Sequence, residues 1–220
     1  MALFGPVSRL LIHGRDFAGP GGNEMAGTCW IAGVMVSAVV VTCPDAAAQT
    51  TPPLSIKVFL HDSIGVPPET LQGAREEASR IFETAGIRIV WVEGEDDAPQ
   101  TRYLVINMTS KAPGRLSRNP NILGVASGSS RGLATTAWVF YERIKVQHGM
   151  FGLTASQLLG HVMAHEMGHL LLADSSHTSS GLMKGGWDKP QARLATMGSL
   201  RFHAEQAAVI RARLKSGTSP

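Results

Sequence analysis

His165-Glu166-Met167-Gly168-His169 sets two imidazoles and a carboxylate at a spacing that a helix turns into a site. Residues four apart on an α-helix lie one turn above each other on one face. His165 and His169 can therefore converge on one metal ion, and imidazole nitrogens suit zinc at Zn–N distances of about 2.0–2.1 Å. Glu166 adjoins the first of them, placed to take a proton from a water whose pKa the ion lowers to about 7. An HExxH is short enough to arise by chance, so its surroundings carry weight. Thr154-x-x-Gln157 is a capping box that would start the helix. Leu158, Leu159, Val162, Met163, Met167, Leu170 and Leu171 make a broad apolar surface, which predicts a buried helix. Polar groups on a buried helix need partners, because desolvation without one is costly. A metal is that partner for His165 and His169. His161, one turn earlier, reads as a hydrogen-bonded core residue or a support to the ligands, not as a ligand itself. The bland alternative is a core helix whose polar groups are all satisfied within the protein.

A catalytic zinc needs a third protein ligand and an open position. Here the stretch from Leu153 to Trp187 resembles the metzincin metallopeptidases, whose pattern is HExxHxxGxxH followed by a Met-turn. His165, Glu166 and His169 fall on that pattern, while its glycine position is Leu172 and its third-histidine position is Ser175. The next histidine is His177, and Gly181-Leu182-Met183 resembles the Met-turn, which implies that Met183 underlies the metal. The longer form, HExxHLLL…SH…GLM, also resembles a group of little-characterised secreted bacterial proteins of the same type. A glycine ends a helix cheaply at positive φ. With leucine in its place, the helix is expected to run through Leu172 and the chain to turn more widely. His177 is then the expected third ligand and Asp174 its rival, since a carboxylate is also a zinc donor. Glu205 is the downstream glutamate that a thermolysin-like site would use instead.

The resemblance implies a secreted, zinc-dependent endopeptidase with Glu166 as its catalytic base. It implies an α+β, metzincin-like (zincin) fold: a mixed twisted sheet packed on the active-site helix, with a C-terminal helix. Within the family the strand before the last lies at the sheet edge and pairs with extended substrate, which here points to Gly124, Val125 and Ala126. Astacins place a tyrosine just beyond the Met-turn and this chain has none, so no side-chain oxyanion stabiliser is expected there. Two other classes stay open: a zinc-stabilised binding module without activity, and a zinc amidase acting on cell-wall peptides.

The elements that must position these residues follow from periodicity. Strands are expected over residues 55–60, 87–92, 102–108, 122–127 and 137–144. Pro67-Pro68 opens a helix that Gly86 closes, with Leu71, Ala74, Ala78, Ile81, Phe82 and Ala85 on its inner face. Residues 93–97 are an acidic solvated loop, 111–121 a surface loop, and 184–188 a tight loop. A closing amphipathic helix is expected over 204–215, with Ala207, Ala208, Ile210 and Leu214 inward.

Composition bounds the rest. At 220 residues and 44% hydrophobic content, the chain can bury one real core. The net charge of +3 is scattered, so no nucleic-acid partner is expected. No glycine loop of a nucleotide-binding type follows any strand. Residues 1–48 read as a signal peptide: an apolar run over 30–42 is too short to span a bilayer comfortably, and Ala46-Ala47-Ala48 gives a cleavage signal before Gln49. Met25 is an alternative start, with the residues before it an extension. A buried strand is the competing reading of the apolar run. Cys29 and Cys43 both fall in this segment, which leaves no thiolate for the metal. The expectation is a single catalytic domain over 49–220, secreted or periplasmic and monomeric. It would have no stable membrane anchor and would act on a peptide or protein substrate.

Overall fold

In a computed structural model the described residues are 53–92, 103–128, 134–172 and 177–216. The expected signal peptide, the acidic loop at 93–97 and Asp174 lie outside them. The chain divides between Ala48 and Gln49, and every described residue belongs to the second unit.

That unit alternates strand and helix from its start. Strand β1 (Leu54–Asp62) leads into helix α1 (Pro68–Thr84), which returns to β2 (Ile87–Val92) parallel to β1. Then come β3 (Tyr103–Thr109), β4 (Gly124–Gly128) and β5 (Ala134–Phe140). Among the described residues they form one sheet in the order β2-β1-β3-β5-β4, parallel except for β4, which runs antiparallel to β5 at the edge. Helices α2 (Tyr141–Gln147), α3 (Ala155–Leu172), α4 (Lys189–Thr196) and α5 (Ala204–Ser216) complete a mixed α/β architecture.

The alternation of strand side chains explains the layering. Ile56 and Val58 on β1, Leu104, Ile106 and Met108 on β3, and Ala137 and Val139 on β5 are buried in one cluster with Ala78, Ile81 and Phe82 of α1. The same cluster holds Leu158, Leu159, Met163 and Met167 of α3. α1 begins at Pro68, where a missing N–H costs nothing. It ends before Gly86, whose φ of +75° reverses the chain cheaply.

Three expectations need correction. The strand over 137–144 stops at Phe140 and α2 starts at Tyr141. Val139, Phe140 and Tyr141 are buried in succession, so alternation has failed, and Ile144 follows Tyr141 at helical spacing. Helix α4 was not foreseen beyond the tight loop, although Asp188 caps it, accepting from the Gln191 N–H at 2.9 Å, with proline in its first turn. On α5 it is Ala207 and Ile210 that are buried, while Ala208 faces solvent.

Candidate metal centre

Helix α3 starts on the expected capping box: the Gln157 N–H donates to Thr154 Oγ1 at 3.1 Å and the Thr154 N–H to Gln157 Oε1 at 3.0 Å. It runs through Leu172, as the missing glycine implied. At Gly160 a Cβ would lie 2.7 Å from the Ala74 carbonyl oxygen, so α1 and α3 cross at backbone contact. His161 is fully buried at this crossing. Its Nδ1 donates to the Gln157 carbonyl at 2.8 Å, its Nε2 lies 3.3 Å from Glu77, and burial pulls its pKa down. It is a core histidine, apart from the cluster one turn on.

In that cluster, ring nitrogens of His165, His169 and His177 all lie within 4.8 Å of one another. His169 Nε2 is 3.0 Å from His165 Nε2 and 3.2 Å from His177 Nε2. Nitrogens around a tetrahedral zinc with bonds of about 2.0–2.1 Å sit about 3.3 Å apart, so the spacing fits one ion. The chemistry of the donors fits as well. His165 Nδ1 is 2.8 Å from the Leu182 carbonyl, which can only accept, so Nδ1 carries the proton and Nε2 presents a lone pair to the centre. Burial, above all, holds the His165 pKa down at about 4, which keeps the ring neutral. A cation satisfies lone pairs that converge in this way.

The strand-like turn after His177 braces the cluster from below. The Thr178 N–H donates to the Met183 carbonyl at 2.9 Å and the Lys184 N–H to the Gly181 carbonyl at 3.2 Å, around Gly181 at φ +74°. This turn supplies the Leu182 carbonyl to His165 and buries Met183 beneath α3. A Cβ at Gly168 would lie 2.5 Å from Met183 Sδ and 2.8 Å from Phe202, so only glycine lets the thioether sit there. Gly185 likewise lies against the His177 ring, where a Cβ would come within 2.9 Å of Cγ.

Glu166 points to the sheet edge. It is 6% exposed, and among the described residues no hydrogen bond or cation reaches its carboxylate. Burial alone pushes its pKa up to about 8. Its neighbour is Gly124, the first residue of β4, where a Cβ would lie 2.8 Å from Glu166 Cγ and Oε1. Val125 and Ala126 continue this edge strand. Between edge and turn opens a cleft of about 260 Å³ lined by Ile122, Gly124, Val162, His165, Glu166, His177 and Trp187. Glu205 is exposed at the start of α5 and is not in the cluster.

Of the residues the sequence singled out, the structure clusters His165, His169 and His177, sets Glu166 on the same cleft as His165 and His177, and packs Met183 under α3 at Gly168. The sequence placed Gly124 on the edge strand but not against Glu166, and it did not reveal the roles of Gly168, Gly185, Trp187 or the Leu182 carbonyl. The glycines were the available signal, each standing where a larger residue would be unremarkable.

No family model matches this sequence, and no curated protein does. The chain is similar to the crystal structure of metalloproteinase-II from Bacteroides fragilis at a TM-score of 0.42 and 12% identity. The match covers 79% of this chain and 56% of that one. A likeness this distant leaves the chemistry to rest on the site's own geometry.

Proposed function

We propose that this chain is a secreted, zinc-dependent metalloendopeptidase of metzincin-like build, with His165, His169 and His177 holding the metal and Glu166 acting as general base. One observation carries the reading: three imidazole nitrogens converge, and two of those rings, His165 and His177, line a cleft together with the buried Glu166 carboxylate and the edge strand. Zinc held there would supply Lewis acidity, polarising a scissile carbonyl and making a water easier to deprotonate.

The remaining work falls to the chain's own groups. Glu166 accepts the proton of the attacking water on a carboxylate oxygen and returns it to the leaving amine. Burial raises its pKa to about 8, whereas a neighbouring cation favours the ionised form. Opposed in this way, the pKa is drawn back toward the range in which one group can both take and give a proton. The outer edge of β4 offers backbone N–H and C=O groups from Gly124 to Ala126 to an extended peptide. The Leu182 carbonyl keeps His165 in the tautomer that faces the centre.

A peptide-library digest with the zinc-loaded protein tests this reading. Internal cleavage is expected, abolished by 1,10-phenanthroline and restored by added zinc. Cleavage of purified cell-wall peptides with the library untouched would identify an amidase instead. Zinc binding with no cleavage of either would leave a binding module.

A further inference from the structure

We propose that Arg143 is a positioning residue that fixes the loop roofing the cleft and so sets how extended substrates are held. The proposal rests on the metal-centre reading for its consequence, but on independent contacts for its mechanism.

The connection between β3 and β4 has little regular structure of its own: one 3₁₀ stretch at Gly114–Arg118 and the backbone bonds Leu116 N–H to Pro113 O and Ile122 N–H to Asn119 O. Its carbonyls turn instead toward α2. Arg143 Nη1 donates to the carbonyls of Asn119, at 2.9 Å, and Ile122. Nη2 donates to Leu116 at 2.9 Å and to Ser117 at 3.4 Å. Gln147, one turn further along α2, donates from Nε2 to the Pro120 carbonyl at 2.7 Å. The guanidinium also lies 5.2 Å over the Phe140 ring. A planar fork with five donors can hold these four carbonyls from two nitrogens at once, and a lysine, with three donors on a single nitrogen, cannot hold all four.

The far side of this loop is the cleft wall, where Leu116, Asn121, Ile122 and Leu123 face the opening. The loop leads straight into β4: the Leu123 carbonyl accepts from the Phe140 N–H at 2.8 Å, and Gly124 follows with no clearance to Glu166. Releasing the loop would therefore move the wall and the substrate edge. It would leave His165, His169 and His177 in place, since α3 and the turn after His177 hold those. A ligand that touches only the metal should not register the change, and a ligand that fills the cleft should.

The test compares zinc-loaded wild type with Arg143→Lys and Arg143→Gln. The first keeps the charge and the apolar stem over Phe140, so folding does not hinge on the more severe variant. Two probes are used: acetohydroxamate, which reaches the metal alone, and a leucine-containing tripeptide hydroxamate, which also extends along the cleft. Hydrogen exchange is followed over residues 113–124. In both variants exchange there should rise about tenfold or more, with α3 protection unchanged. Affinity for the tripeptide hydroxamate should fall by about tenfold or more, and that for acetohydroxamate stay within about twofold. Unchanged loop exchange overturns the proposal, as does an equal loss of both probes. A wild type that binds neither zinc nor hydroxamate would refute the metal-centre reading, and the exchange result alone would then uphold or overturn the clamp.

Discussion

Glu166→Gln is expected to bind zinc as the wild type does and to lose peptide hydrolysis by about 10²–10⁴-fold, the usual contribution of a general base. Glutamine matches glutamate in shape, so Gly124 still fits against it and the three imidazoles are untouched. What disappears is the ability to take a proton from water and hand it to the leaving amine. Zinc content measured beside turnover separates the two effects, and activity within about tenfold of wild type would contradict the assignment. The same substitution has a second signature in the metal-free protein. Burial raises the Glu166 pKa from 4.5 to about 8. The folded state then holds a proton that the unfolded chain releases, so stability falls as pH rises from about 4.5 to about 8. Glutamine cannot ionise, so the metal-free variant should lack that loss.

Gly124→Val is expected to be nearly as damaging to turnover although it alters no catalytic atom. A Cβ at this position already stands 2.8 Å from Glu166 Cγ and Oε1, and valine adds two methyl groups. Either the carboxylate or the edge strand must yield, and a displacement of about 1 Å at a reacting group can cost about 10²-fold. Gly124→Ala should fall between valine and wild type. Zinc content should be unchanged in both, because the imidazoles are held by α3 and the turn at Gly181. Wild-type turnover in the valine variant would contradict the contact. Loss of zinc would show instead that Gly124 supports the fold.

Local signals account for what was legible beforehand. The capping box at Thr154 and Gln157 uses contacts three residues apart, and the placement of His165 over His169 follows from helix geometry alone. Five strands and α1 announced themselves through alternation or helical spacing. The failures share a different cause. α2 follows β5 without a break, and in VFYERI the burial of Val139, Phe140 and Tyr141 depends on the sheet above and the helix beside them. α4 is short, and its Asp188 cap was legible but had no long apolar face behind it. Ala208 is small enough to suit either side of α5. The contacts of Gly124 with Glu166 and of Gly168 with Met183 join segments far apart in the chain, which no spacing rule reports. Spacing favoured His177 over Asp174 as third ligand without excluding the aspartate; the structure brings the His177 ring to the other two, and Asp174 lies outside the described residues.

The most direct test of the metal centre is zinc content of the purified protein, wild type beside His177→Ala and Asp174→Ala, after zinc is supplied and excess removed. About one zinc per chain is expected in the wild type and in Asp174→Ala, with most of it lost in His177→Ala. Full zinc in His177→Ala with loss in Asp174→Ala would move the third ligand to the aspartate, and a wild type that retains no zinc would contradict the centre itself.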